Sequence, residues 1–168
     1  YPARDRPRNP CSAQRASRRF RVRPGSRQRD TERAMSQENV DALRPVYEEW
    51  GRGNFRPSSD AYGPDLEWGW SEEFPDIHGV FRDPEPRSSR MLEWLSQWED
   101  WRVEAEEYIP AGEFVVVLCR YTGRGKESGA AVDTTGAHLW TMRAGKPVRL
   151  EIFSSRTKAL EAAGLRDG

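Results

Sequence analysis

His138 is the residue whose type and setting best suit chemistry, because it is the one titratable residue on the otherwise apolar face predicted for segment 137–153. The segment has the alternating pattern of a β-hairpin. If Gly145 takes a left-handed conformation in a three-residue loop, His138 lies opposite Leu150 and Trp140 opposite Val148. One face of the hairpin then carries His138, Trp140, Met142, Val148, Leu150 and Ile152. A single imidazole on an otherwise apolar sheet face indicates a small-molecule pocket.

His138 and Tyr47 are the candidate catalytic residues. A histidine with an ordinary pKa of about 6.5 is able to act as general acid or base, or as a neutral donor to a ligand oxygen. The alternative is a partly buried histidine that hydrogen-bonds a neighbouring group. Tyr47 is either a hydrogen-bond donor to a ligand or a core aromatic residue with its hydroxyl at the edge. The sequence leaves open whether the protein is an enzyme.

The candidate ligand-binding residues are mostly aromatic. The chain has seven tryptophans, all after Met35, and such rings either stack on flat ligands or fill a core. Helical spacing favours a core position for Trp94 and Trp98, whereas strand positions allow Trp70 and Trp140 to line a pocket. The predicted ligand-binding set is Trp50, Trp70, Trp94, Trp140, Met142 and Leu150.

Charge divides the chain at about residue 34. Residues 1–34 contain eleven Arg and three acidic residues, and the remainder is acidic because the whole chain is neutral. The basic segment has few apolar residues, so burial does not offset the entropy of ordering it. We predict a disordered basic extension over 1–34 and one domain over 35–168. The extension is a nucleic-acid arm, a transit peptide or, as the Met35-Ser36 start favours, an upstream segment without function.

Cysteine and histidine usage gives no sign of a disulfide, a metal site or a cofactor. Cys11 lies in the basic segment, Cys119 lies in an apolar run, and the two histidines, His78 and His138, show no metal-ligand spacing. The apolar runs are too short to cross a bilayer, and none precedes the domain as a secretory signal. We therefore expect a cytoplasmic protein without a metal, cofactor, membrane or nucleic-acid partner.

The predicted elements are helices first and strands later. Ser36 caps a helix that runs to about Trp50 and has an apolar stripe at Val40, Leu43 and Tyr47. Further helices are predicted over 57–62, 88–101 and 156–163, and strands over 66–70, 77–81, 102–109, 113–121 and from 130 into the hairpin. This order predicts an α+β fold in which helices pack on one face of an antiparallel sheet.

Several segments together resemble the SnoaL-like branch of the nuclear-transport-factor-two-like superfamily. They are residues 36–54, 64–68, 111–117 and 137–146, together with Trp98-Glu99-Asp100-Trp101. The resemblance covers residues 35–165 and implies a cystatin-like, ketosteroid isomerase-like cone, in which a strongly curved sheet wraps around the helices and leaves a pocket at its open end. Relatives include ketosteroid isomerases, polyketide cyclases, limonene-epoxide hydrolases and dehydratases. They are commonly dimers, and Leu139 and Phe153 on the outer sheet face mark the expected homodimer interface.

The resemblance also implies where the catalytic groups of the isomerases fall in this chain. Their base position falls at about Trp70, their second carboxylate at His138 and their first-helix tyrosine at Val46 or Tyr47. An indole cannot accept a carbon-bound proton, so steroid isomerisation is not expected. The Asp-Arg-Asp set of the epoxide hydrolases is not evident either.

Three functions are consistent with the sequence. The first is binding of a small apolar or ring-containing molecule. The second is an enzyme of the polyketide cyclase, isomerase or hydrolase type that uses His138 as its acid–base group, and the third is a non-catalytic dimerisation module. An acidic residue beside His138 would favour the enzyme, whereas a cone filled by Trp70, Trp94 and Trp140 would favour the module.

Overall fold

The computed structural model describes residues 24–55, 65–74, 79–81 and 93–166, which form three helices and six strands. Helix α1 spans Pro24–Gly51, α2 covers residues 93–96 and α3 spans Arg156–Ala162. The strands are β1 Glu67–Trp70, β2 Gly79–Phe81, β3 Trp98–Ala111, β4 Phe114–Gly125, β5 Ala131–Arg143 and β6 Lys146–Phe153. The helix predicted over 57–62 lies outside these described residues.

The six strands form one sheet in the order β2-β1-β6-β5-β4-β3. Strand β1 runs parallel to β6, and the other neighbouring pairs are antiparallel. Helix α1 packs on the inner face of the curved sheet, mainly against β3. The predicted α+β, cystatin-like cone is confirmed, with the parallel β1–β6 pair as the one departure from an antiparallel sheet.

Helix α1 begins earlier than the sequence predicted. Its first residue is Pro24, so the predicted start at Ser36 is wrong. The residues before Ser36 include Arg, Gln, Glu, Ala and Met, whose helix propensities are favourable, and the helix therefore extends beyond its packed part. The side chains from Arg27 to Met35 are exposed. The disorder predicted for 1–34 does not hold for 24–34, and 1–23 lie outside the described residues.

The buried face of α1 is the predicted apolar stripe. Val40, Leu43, Tyr47 and Trp50 are buried and belong to the core on the inner face of the sheet. The helix passes through Pro45 without ending. Trp50 lies in the last turn of α1. Its indole is therefore placed where the packing of this helix against the sheet ends.

Helix α3 covers the outer face of the sheet. Ser155 caps it, with the hydroxyl accepting a hydrogen bond from Lys158 N–H at 3.3 Å. Leu160 belongs to the same core cluster as Leu139 and Phe153, which are only 5% and 7% exposed. These two residues are therefore buried within one chain, and they are not the open apolar surface on which the predicted dimer interface relied.

The turn of the β5–β6 hairpin differs from the prediction. Ala144 has φ 51° and Gly145 has φ 73°, and Arg143 pairs with Lys146 across these two residues. Left-handed residues at both central positions are typical of a type I′ turn, whose twist matches that of the paired strands. The predicted three-residue loop is therefore wrong, although Gly145 has the predicted left-handed conformation.

A bulge at Val148 restores the predicted division of side chains between the two faces. The extra residue shifts the β6 register by one, so that Trp140 pairs with Leu150 and His138 pairs with Ile152. Without the bulge, the two-residue turn would direct the other set of β6 side chains inward. Trp140 and His138 each pair with a β6 residue two positions later than predicted. A shift of two residues along a strand leaves the side chains on the same face.

Strand β3 begins inside a segment that the sequence predicted as helix. Trp98 and Trp101 belong to this strand, and Asp100 between them has φ 52° where the register with β4 shifts. The ring centroids of Trp98 and Trp101 are 4.8 Å apart, and Trp101 is also 4.8 Å from Trp94 of α2. The helical spacing of the three tryptophans thus arises from a short helix followed by an irregular strand.

Candidate functional site

A cavity of about 330 Å³ lies between the inner face of the sheet, the end of α1 and α2. This volume is within the usual range for small-molecule sites. Its wall is largely aromatic, with rings from Trp50, Phe55, Trp70, Phe74, Trp94 and Trp101. The aliphatic part of the wall comes from Leu95, Val103, Leu150 and Ile152.

Four different elements each bring one tryptophan to the cavity. Trp50 comes from the last turn of α1, Trp70 ends β1, Trp94 lies in α2 and Trp101 lies in β3. The ring of Trp101 stacks on that of Tyr121, with centroids 6.0 Å apart and an interplanar angle of 19°. Flat faces of this kind are suited to stacking on a ring-containing ligand.

His138 is the most deeply buried polar side chain of the wall, with 2% of its surface exposed. Its Nδ1 lies 2.7 Å from Tyr47 Oη, and its Nε2 lies 3.0 Å from Tyr121 Oη. Trp140 Nε1–H donates to the same Tyr47 Oη at 2.8 Å. Both ring nitrogens therefore have phenol partners, and no carboxylate from the described part of the chain hydrogen-bonds to the imidazole.

The buried groups around His138 are uncharged at neutral pH. Burial lowers the pKa of His138 to about 3, because the imidazolium would lose its hydration without gaining a counter-ion. Burial also raises the pKa values of Tyr47, Tyr121 and Cys119 well above their ordinary ranges. The acid–base role predicted for His138 assumed an ordinary pKa, whereas here the ring is a neutral link between two phenols.

The predicted catalytic pair is in contact, but only one member borders the cavity. His138 lines the wall. Tyr47 is 4% exposed and lies behind His138, where it bonds the imidazole and Trp140. Tyr47 is therefore not positioned to donate directly to a ligand in this cavity, and its predicted role as a ligand donor is not supported.

The predicted ligand-binding residues divide between the cavity and the core. Those that line the cavity are Trp50, Trp70, Trp94 and Leu150. Trp140 and Met142 are 0% and 3% exposed and pack in the core with α1. The hairpin pattern placed all of its inward residues in the pocket, but α1 covers part of that face, so Trp140 and Met142 lie beneath the helix instead.

Trp101 and Tyr121 line the cavity and were missed from the sequence. Trp101 was assigned to a helix. For Tyr121 a signal exists, because strand alternation places it on the same face as Val115, Val117 and Cys119. Its contact with His138 depends on the pairing of β4 with β5, which a single sequence does not reveal.

An ion-pair cluster fixes the cavity wall beyond the end of β1. Glu73 accepts hydrogen bonds from Ser154 N–H at 3.0 Å and from the Ser154 hydroxyl, and Lys158 Nζ lies 2.9 Å from its other oxygen. Burial alone would raise the pKa of Glu73, but these hydrogen bonds outweigh the effect of burial. The pKa of Glu73 is therefore lowered from its ordinary value. Because Ser154 and Phe74 line the cavity, the cluster ties α3 to its wall.

Within the described ranges, no group of three or more His, Cys, Asp and Glu side chains is arranged to hold a metal ion. Cys119 is a buried free thiol. No helix in this part of the chain has the length and apolar character needed to span a membrane.

The SnoaL-like domain family matches residues 43–150 of the chain. Solved structures that are similar to this chain include the following three. TerC, co-crystallised with polyporic acid, is 21% identical over 76% of this chain and 98% of its own, with a TM-score of 0.60. An NTF2-like protein of unknown function from Burkholderia pseudomallei is 19% identical over 74% of this chain and 95% of its own, with a TM-score of 0.61.

A protein from Catenulispora acidiphila with a ketosteroid isomerase-like fold, in complex with trimethylamine, is 18% identical over 76% of this chain and 93% of its own, with a TM-score of 0.53. At identities this low, the likeness shows a shared fold. No curated protein matches the chain.

Proposed function

This chain belongs to the SnoaL-like domain family, and we propose that its cavity binds a small, uncharged, ring-containing molecule. The observation that carries the proposal is the cavity of about 330 Å³ with tryptophans from four separate elements in its wall. Stacking on aromatic faces and removal of apolar surface from water supply the binding free energy. The polar groups of the wall then fix orientation.

The charge of the wall restricts the ligand. None of the described residues that line the cavity is Asp, Glu, Lys or Arg. A charged ligand would lose hydration in this cavity without gaining a counter-ion, and such burial is costly. A neutral molecule with a mainly apolar surface therefore fits the site better than an acid or an amine.

Binding is better supported than acid–base catalysis. The position that corresponds to the base of the isomerases holds Trp70, and both nitrogens of His138 are engaged by Tyr47 and Tyr121. A general base needs a free lone pair within hydrogen-bond reach of the proton that it removes. These features favour a binding protein over the cyclase, isomerase or hydrolase alternative.

A substitution that fills the cavity tests the proposal. Ile152 lines the cavity on the inner face of the sheet, whereas the similarly half-buried Ile109 packs on the outer face. We expect Ile152→Trp to weaken the binding of neutral polycyclic compounds by about tenfold or more, because the indole occupies ligand volume, and Ile109→Trp to leave the affinity unchanged. Isothermal titration calorimetry measures both affinities, and native mass spectrometry of purified protein identifies a retained ligand.

Thermal melts establish whether each variant is folded before the affinities are compared. An equal loss of affinity in the two variants would place the ligand outside this cavity. Failure of a panel of neutral ring compounds to bind wild-type protein, together with a mass that shows no retained ligand, would contradict the proposal.

A further inference from the structure

We propose that the buried hydrogen bonds from Trp140 through Tyr47 and His138 to Tyr121 run in one direction and direct the hydroxyl proton of Tyr121 into the cavity. Tyr121 is then the specificity-determining donor of the site, and the ligand carries a neutral acceptor such as a ring ketone or quinone oxygen. This inference rests on the proposed function for its ligand class. The direction of the hydrogen bonds is independent of it.

The direction starts at Trp140, whose indole nitrogen is only a donor. Its Nε1–H donates to Tyr47 Oη at 2.8 Å. The Tyr47 hydroxyl retains one proton, and His138 Nδ1 lies 2.7 Å from the same oxygen. A neutral imidazole has one donor and one acceptor nitrogen, so the orientation of this bond fixes the tautomer of the whole ring.

The two possible tautomers leave different hydroxyl protons without a strong acceptor. If His138 Nδ1 carried the proton, Tyr47 Oη would accept two hydrogen bonds. Among the described residues, the remaining acceptor within reach of the Tyr47 proton would be the sulfur of Cys119. Sulfur is a weak acceptor, and Tyr47 is buried away from solvent. An unpaired buried donor is costly, so this arrangement is disfavoured.

The other tautomer satisfies the buried groups. Tyr47 O–H donates to His138 Nδ1, and His138 Nε2–H donates to Tyr121 Oη at 3.0 Å. The remaining proton belongs to Tyr121, which is only partly buried and lines the cavity. Among the described residues, the Cys119 sulfur is again a competing acceptor, and the S–H group of Cys119 is directed to Val117 O. A carbonyl oxygen in the cavity is a stronger acceptor than that sulfur.

The position of Tyr121 adds orientation to this donor. Its ring stacks on Trp101, and its hydroxyl is held by the buried imidazole. A ligand ring that contacts the tryptophan wall therefore meets one fixed O–H group. The same group offers little to a ligand that lacks an acceptor.

The tautomer of His138 is the first test, and it needs no ligand. The chain has two histidines, so long-range ¹H–¹⁵N correlation spectra of wild type and of His78→Gln assign the two rings. We expect His138 to show a protonated Nε2 and an unprotonated Nδ1 near neutral pH. A protonated Nδ1 would overturn the proposed direction.

A matched pair of ligands is the second test. The probes are 1-tetralone and tetralin, which share one ring skeleton and differ in a carbonyl group. We expect wild-type protein to bind the ketone about fivefold more tightly. The variant Tyr121→Phe should lose this preference while keeping its affinity for tetralin, and Tyr108→Phe, whose half-buried ring lies outside the cavity, should retain it.

The outcomes separate the two proposals. A ketone preference that survives in Tyr121→Phe overturns the role of Tyr121, even if both probes bind. Binding of neither probe to wild type counts against the proposed function, while the tautomer still decides the direction of the hydrogen bonds. If Tyr121→Phe does not fold, the His138 tautomer and the affinities of wild-type protein still test the proposal. Equal affinities of wild type for 1-tetralone and tetralin would overturn it.

Discussion

At the scale of single residues, burial determines what His138 does. Its two ring nitrogens bond Tyr47 and Tyr121, Trp140 donates to Tyr47, and none of these partners is ionised. In such surroundings the neutral imidazole is strongly favoured over the imidazolium. The residue that the sequence marks as the most reactive in the domain is therefore a fixed hydrogen-bonding link.

The buried state of His138 predicts a stability that depends on pH. The unfolded chain protonates this residue near a pKa of about 6.5, whereas the folded protein resists protonation until a pH of about 3. Between these values the unfolded state binds more protons, so the free energy of unfolding falls as the pH falls. One such group contributes at most about 1.4 kcal/mol for each pH unit.

Urea unfolding between about pH 7 and about pH 5 measures this dependence, in a range where most carboxylates remain ionised. We expect His138→Gln to have a flatter pH dependence than wild type, whatever its absolute stability, and His78→Gln to retain the wild-type slope. Equal slopes in wild type and His138→Gln would show that the imidazole titrates alike in both states.

At the scale of elements, side-chain alternation predicted the inner and outer faces of β5 and β6, but not how the strands are joined. A bulge leaves one residue of β6 unpaired. The same sequence therefore fits either a three-residue loop or a two-residue turn followed by a bulge at Val148. Both give the same faces, and the inward position of His138 was therefore predictable while its partner was not.

The tryptophans of α2 and β3 show the opposite case. Trp94, Trp98 and Trp101 recur at helical spacing, and such spacing predicts one helix. In a regular strand, residues three apart lie on opposite faces. The left-handed conformation of Asp100 and the register shift beside it allow Trp98 and Trp101 to meet, and no pattern of residue types indicates this irregularity.

Gly136 of β5 provides a test of the packing that positions Tyr121. A Cβ atom at Gly136 would lie 2.7 Å from Tyr121 Cε2 and 2.8 Å from the carbonyl oxygen of Phe153. The carbonyl belongs to the paired strand β6, so it cannot move without disturbing the sheet. We expect Gly136→Ala to lower the free energy of unfolding by about 1–3 kcal/mol, as measured by urea unfolding.

The matched control is Gly51→Ala at the end of α1, where a new Cβ would lie 3.7 Å from Glu104 Cγ, an ordinary contact. We expect it to change the free energy of unfolding by about 0.5 kcal/mol or less. If Gly136→Ala were as stable as this control, the close approach of β5 and Tyr121 would be contradicted.

At the scale of the whole molecule, the cavity exists because α1 ends before it has filled the curved sheet. The helix covers Trp140 and Met142 and stops at Gly51, and the remaining space is bordered by rings from Trp50, Trp70 and Trp94. The family and the cone were predictable because their pattern runs through most of the chain. Which residues of the inner face lie in the core and which line the cavity depends on where α1 ends along β5. That position is set by tertiary packing and is not predictable from the sequence pattern.

The outer face gives a different expectation for assembly from the one that the sequence suggested. Leu139 and Phe153 are covered by α3 of the same chain, so these two side chains are not available to form the homodimer interface that we predicted. Light scattering at micromolar concentration measures the state of assembly. A Leu139→Asp variant would unfold the monomer rather than only separate a dimer, because that side chain is buried within one subunit.

The extended start of α1 allows the boundary of the folded unit to be tested. The described side chains from Arg27 to Met35 are exposed, and the first buried residues of the helix are Asn39 and Val40. Asn39 Nδ2 also donates to Gly112 O at 3.4 Å, which joins α1 to the β3–β4 turn. Among the described residues, removal of residues 1–34 therefore deletes exposed helix and no buried side chain, and we expect the melting temperature to change by about 2 °C or less.

Removal of residues 1–43 is the matched control for this deletion. It also takes away Asn39, Val40 and Leu43, of which Leu43 is 0% exposed, and the loss of two buried aliphatic side chains alone costs about 4 kcal/mol or more. We expect this shorter chain to melt far lower or not to fold, as followed by circular dichroism. A drop of several degrees on removal of residues 1–34 alone would contradict this expectation and would mean that the exposed part of α1, or the segment before it, stabilises the domain.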